Sequence, residues 1–219
     1  MKIELSNIPF MSNEISADNH IDFPEGIHCI CCRDSSILQQ LFLYLTASAS
    51  PASGHVRFLN YDVCALGEAY KNHLSYFRRY PLFPGTFPLF PYLTYTSLLQ
   101  RLPANSAKQK AETLIRKMNL TADRNSLLST LDFNTLNRID LYQTLLSEAP
   151  IFILDDKYFP ALNSSDYKEM QSILSAAVES KIIIILHQLN THKIRSKEYL
   201  SIEKEDPLPD LPHTTYVFE

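Results

Sequence analysis

Glycine is scarce in this chain: four residues in 219, where ordinary usage near 7% would give about fifteen. Loops that close glycine-rich backbone around phosphate have little to be built from. Runs of basic residues are missing as well. The 20 Lys and Arg are scattered among 24 Asp and Glu, for a formal net charge of −4, so DNA and RNA have no electrostatic footprint here. Apolar runs such as Ile182 to Leu186 fall far short of the roughly 20 residues of a membrane span. The opening Met1-Lys2-Ile3-Glu4 lacks the character of a signal peptide, and the expected location is the cytoplasm. Cys29, Cys31, Cys32 and Cys64 form no paired C-x-x-C arrangement. Cys29 and Cys31 fall on one face of an expected buried strand, where a small buried hydrophobe is the ordinary role of cysteine and a metal or redox site the alternative.

What is present suits one sizeable core, with 45% hydrophobic residues arguing against disorder. Periodicity predicts short edge strands at 2–8 and 21–23, a buried strand at 26–31, a helix at 36–47, and strands at 55–63 and 73–78. Pro81, Pro84, Pro88, Pro91 and Pro103 then interrupt an aromatic-rich stretch that reads as a long loop. Helices are expected at 106–119 and 134–148. Beyond them, strand 150–155, helix 166–180 and strand 182–187 form a β–α–β unit whose all-apolar strands suit a parallel sheet. Segments 198–203 and 213–218 read as a closing hairpin.

Between Gly26 and Gly54 the run Cys32-Arg33-Asp34-Ser35-Ser36-Ile37-Leu38-Gln39 has the spacing of a phosphate-binding loop. Cys32, Ile37, Leu38 and Gln39 stand where that motif has glycine, glycine, lysine and a hydroxyl. The flanking Glu25–Cys31 and Pro51-Ala52-Ser53-Gly54-His55-Val56 resemble segments of ATP-binding cassette (ABC) ATPases. Further landmarks follow in that family's order. Arg79 sits at the Q-loop glutamine position, ahead of Leu93-Thr94-Tyr95. Leu131-Asp132-Phe133-Asn134-Thr135 occupies the signature position. Ile151 to Asp156 resembles a Walker B strand, and Ile182 to His187 the switch-histidine strand. The resemblance spans about residues 1–205 and rests on the order of several weak motifs.

It implies an α/β fold: a P-loop NTPase-like (RecA-like) core with an antiparallel β subdomain and an inserted α-helical subdomain at roughly 80–148, in a single ABC ATPase-like domain over 1–219. Against the family's chemistry, Leu38 offers methyl groups to phosphate, Gln39 replaces the magnesium-binding hydroxyl, and β-branched Ile37 resists glycine's geometry. The charge-assisted bonds lost are each worth about 1.5–3 kcal/mol, together about 10²–10⁴ in affinity. Asp132 would repel a phosphate brought by a partner cassette. The expected cofactor is therefore none, and an ATP-driven homodimer is disfavoured.

In the alternative reading, Mg-ATP is held by Arg33 and Asp155 and hydrolysed with Asp156 and His187. In the family a membrane subunit docks beside the Q-loop, which points here to Phe83, Phe87, Phe90 and Tyr92, the alternative being that these aromatics pack on the helical subdomain. The expectation is a non-hydrolysing cassette subunit that docks on an ABC permease, an intact ABC ATPase subunit, or both. It would meet the inner face of the cytoplasmic membrane through that partner. A soluble regulator is the further alternative.

Overall fold

The computed structural model describes residues 1–8, 20–77, 84–100, 102–156, 164–189 and 211–218. They fall into two compact units, Met1–Arg79 with Glu148–Glu219, and Tyr80–Ser147.

The larger unit holds two sheets. In the first, β1 (Lys2–Ser6), β2 (His20–Pro24), β4 (His55–Phe58) and β5 (Tyr61–Asp62) are ordered β2-β1-β4-β5, with every neighbour antiparallel. β1, expected at an edge, lies inside this sheet, flanked by β2 and β4. The single strand expected at 55–63 is instead a hairpin. Leu59 and Asn60 both take positive φ, 51° and 67°, the backbone of a tight two-residue turn between twisted strands. Two short helical turns that periodicity did not signal, α2 (Val63–Leu66) and α3 (Glu68–Lys71), lead on to the second sheet.

That sheet is parallel throughout, in the order β6-β7-β8-β3-β9: β6 (Leu74–Phe77), β7 (Ile151–Asp155), β8 (Ile182–Gln188), β3 (Gly26–Cys32) and β9 (Thr214–Phe218). β3, β7 and β8 are apolar at nearly every position because both faces are covered. β9 pairs in parallel with β3; the strand expected at 198–203 lies outside the described residues. Helix α1 (Ser35–Leu45) joins the sheets into one core: its Leu38, Leu41 and Leu45 pack in a cluster with Leu5, Phe23 and Phe58 of the first sheet and Ile30, Ile153 and Ile184 of the second. Each such fully buried side chain contributes about 1.5–3 kcal/mol. Tyr70 closes the cluster, its hydroxyl donating to Leu45 O at 2.7 Å. Helix α7 (Ser164–Ala177) connects β7 to β8 as a crossover.

The smaller unit is helical: α4 (Leu89–Leu99), α5 (Ala104–Lys117), a 3₁₀ turn at Leu128–Thr130 and α6 (Phe133–Leu145). Its core joins Leu89 and Leu93 of α4 to Ala111, Leu114 and Ile115 of α5 and to Ile139 and Tyr142 of α6. The proline-rich stretch read as a loop is therefore helical from Leu89. Pro88 stands at the cap position and Pro91 in the first turn, where an N–H has no helical acceptor to lose. The two free donors there are satisfied from outside the helix: Leu89 N donates to Ser126 O at 2.9 Å and Phe90 N to Arg124 O at 3.0 Å.

Candidate functional site

The carboxyl ends of β3, β7 and β8 lie side by side, and the backbone N–H of Leu189 donates to Cys32 O at 3.0 Å, tying the end of β8 to that of β3. In parallel sheets this edge is where ligands bind. The segment with phosphate-loop spacing sits here but takes another shape. β3 continues through Cys32, only Arg33 and Asp34 intervene, and α1 begins at Ser35. Ser35, Ser36, Ile37, Leu38 and Gln39 are all helical. Asp34 caps the helix, its Oδ1 accepting from Ser36 N at 2.7 Å. Hydrogen bonds from the Ser36 side chain and backbone hold the Asp34 carboxyl below its ordinary range. The positive end of α1 thus already faces a carboxylate. Leu38, at the lysine position, turns into the core and is 8% exposed. Gln39 and Arg33 face solvent, and Ile37 is half-buried.

Asp155 ends β7 in register with Leu186, and Asp156 follows it, buried. His187 is buried on β8, and its Nδ1 is hydrogen-bonded to Asp156 Oδ2. A carboxylate can only accept, so Nδ1 carries a proton. Asp156 is thereby committed to an imidazole. Cys29, Cys31 and Cys32 are buried, and burial pushes the Cys32 thiol up, towards its protonated form. Among the described residues no group of three or more His, Cys, Asp or Glu is placed to hold a metal ion.

In the helical unit, Asp132 repeats the capping device of Asp34. It starts α6, accepting from Thr135 N at 3.0 Å and from Thr135 Oγ1 at 2.6 Å. The Thr135 hydroxyl, then its N–H, hold the Asp132 carboxyl below its ordinary range. Leu131 packs on the unit's core, while Phe133 and Asn134 are exposed. Both caps have a sequence signal that the motif comparison passed over: an Asp set immediately ahead of Ser35-Ser36, and an Asp three residues ahead of Thr135.

Of the aromatics expected to dock a partner, Phe87 is exposed. Phe90 and Tyr92 are half-buried against the unit's own core, and the Arg124 guanidinium lies 3.7 Å above the Phe90 ring. Phe83 and Arg79 lie outside the described residues. The exposed side of α4 instead presents Pro91, Tyr95, Leu98 and Leu99, and the Tyr95 ring lies 6.2 Å from that of Phe87. Tyr95 is 50% and Leu99 64% exposed. The legible signal was that no residue from Leu89 to Leu99 is charged, as in a helix covered on every side.

Comparison with solved structures finds this fold among ATP-binding subunits of ABC transporters. One such subunit superposes with a TM-score of 0.72 over 86% of this chain and 80% of its own, at 14% identity. A dimeric bacterial ABC transporter cassette gives 0.68 over 85% and 88%, at 15% identity. The cbiO1 protein of Clostridium perfringens, part of the transporter complex cbiONQ, gives 0.59 over 86% and 78%, at 15% identity. No family model matches the chain, and no curated protein does. The chain has the fold of an ABC transporter nucleotide-binding domain: a parallel P-loop NTPase-like core beside an antiparallel sheet.

Proposed function

We propose that this chain is a cassette-fold subunit that neither binds nor hydrolyses ATP and serves as a docking module for a membrane permease, an active ABC ATPase, or both. The observation that carries this reading is Asp34. Its carboxylate occupies the start of α1, where a triphosphate would need open N–H donors and a cation. Any phosphate entering there meets a negative charge in place of the lysine, because Leu38 is packed in the core. Asp155 and Asp156 then have no substrate to act on, and the Asp156–His187 hydrogen bond serves the sheet edge.

Docking is supported by α4, which presents Tyr95, Leu98 and Leu99 to solvent together with Phe87. An uncharged exposed patch of this kind marks an interface. No helix among the described residues is long and apolar enough to cross a membrane, so contact with the bilayer would come through the partner, at the cytoplasmic face. The test is recovery of the tagged protein from its own host in mild detergent. A polytopic membrane protein in stoichiometric yield, with or without an intact cassette subunit, is the expected result; soluble partners alone would favour a regulator.

The Asp156–His187 pair favours one second reading, an atypical ATPase that also uses Arg33 and Asp155. It requires turnover that disappears in Asp156→Asn and in Arg33→Ala.

A further inference from the structure

The outward face of the antiparallel sheet carries a polar cluster of Ser6, His20 and Asp22. Ser6 of β1 stands directly opposite His20 of β2, and Asp22 lies two residues along β2 on the same face. Ser6 Oγ is 2.8 Å from His20 Nδ1. On the other side of the ring, Nε2 is 2.8 Å from Asp22 Oδ1. That approach is off the N–H axis, so the carboxylate acts on the ring mainly through its charge. Lys2 Nζ holds the second Asp22 oxygen at 3.0 Å and also pairs with Glu4.

The proton positions follow from these neighbours. A carboxylate presents only lone pairs, so the proton of the neutral ring sits on Nε2, Nδ1 is bare, and Ser6 Oγ donates to it. This is the polarity that a nucleophilic hydroxyl and its general base require, with a third group orienting the base. Loose alignment of the third group is usual before substrate arrives. Ser6 is also fixed in place. The chain turns at Asn7 with φ 54°, and Gly54 packs so closely that a Cβ there would fall 2.2 Å from Ser6 O. The His20 and Asp22 side chains are 42% and 40% exposed, and Ser6 is half-buried. His55 is in register with Ser6 on β4.

We propose that Ser6, His20 and Asp22 form a serine-nucleophile relay that is acylated by small activated esters, an activity independent of the docking function. Ser6 Oγ forms a bond to the ester carbonyl carbon as its proton passes to His20 Nδ1. The bond to the leaving oxygen breaks, and that oxygen takes the proton from His20. Water, deprotonated by His20, then cleaves the acyl–Oγ bond and restores Ser6. Ser6 and His20 are the catalytic residues; Asp22 is a positioning residue.

The test treats the intact chain with a fluorophosphonate probe, for which the Oγ–P bond replaces P–F and fluoride departs, and follows p-nitrophenyl acetate hydrolysis in parallel. The expected result is one adduct, on the peptide containing Ser6, absent in Ser6→Ala and formed about 10²-fold more slowly in His20→Gln. Asp22→Asn slows labelling because it removes the negative charge that favours a proton on Nε2 and stabilises the imidazolium formed as Ser6 reacts, and Asp22→Glu, which keeps the charge, recovers the rate. Circular dichroism confirms that each variant is folded, with His20→Asn replacing any that is not. Absence of an adduct, an adduct elsewhere, or a Ser6 rate unchanged in both His20 variants would overturn the proposal.

Discussion

Leu38, which the sequence resemblance sets at the position of a phosphate-binding lysine, is a core residue: 8% exposed and packed in the cluster that joins both sheets to α1. Restoring the lysine should therefore fail as a repair. Leu38→Lys removes buried methyl groups and asks an ammonium to lie among aliphatic side chains, an expected loss of about 2–5 kcal/mol measured by denaturant unfolding, with no gain in Mg-ATP affinity. His28 gives a second prediction at this scale. Its Nε2 donates to Pro24 O at 2.8 Å, while Nδ1 is buried with no partner. Burial lowers its pKa below the usual 6.5. The folded state thus prefers the neutral ring, whereas the unfolded chain takes up a proton near pH 6.5. Stability is full above that pH and falls as pH drops below it. The thermal midpoint should decline from pH 7 to pH 5 in the natural chain and decline less in His28→Phe, with scanning calorimetry as the check. The His28 detail was not legible in sequence, because it depends on which face of the doubly buried β3 is sealed.

Elements were more legible than residues, and where they were misread the cause was local chemistry. The apolar runs of β3, β7 and β8 stood out because strands covered on both faces tolerate nothing else. Helix α4 was hidden by its prolines, which are harmless at Pro88 and Pro91 because a first turn has donors to spare. The hairpin at Leu59 and Asn60 was hidden because these residues take positive φ without the glycine that usually announces it. With this stretch read as a loop, the expected docking set included Phe90 and Tyr92, which are half-buried, whereas the docking surface proposed above for α4 is formed by Tyr95, Leu98 and Leu99. Placing charge on the outward face tests this: Tyr95→Glu with Leu98→Lys should change unfolding free energy by less than about 0.5 kcal/mol, as exposed substitutions do. The same pair should reduce partner recovery in the detergent pull-down by about tenfold or more. At the start of α6, Asp132→Ala removes both bonds to Thr135 and should cost about 1 kcal/mol, read in the same unfolding assay.

At the scale of the whole molecule, the order of several weak motifs pointed to the fold. The strand order β6-β7-β8-β3-β9, the antiparallel sheet and the helical unit all agree with that order. Of the candidate site, Asp155, Asp156 and His187 were legible as residues at the ends of two apolar strands, and the structure pairs the last two. The helix-capping role of Asp34 was signalled by the serines that follow it, but that its carboxylate is taken up by Ser36 N emerged from the backbone. On the proposed function Mg-ATP leaves the stability of this chain unchanged, whereas a nucleotide present at a hundred times its dissociation constant adds about 2.7 kcal/mol to the stability of a protein that binds it. The most direct measurement is a calorimetric titration of the purified chain with Mg-ATP. A chain without a nucleotide site gives no saturable heat up to millimolar nucleotide; a stoichiometric isotherm with a micromolar or tighter dissociation constant would refute the proposed function.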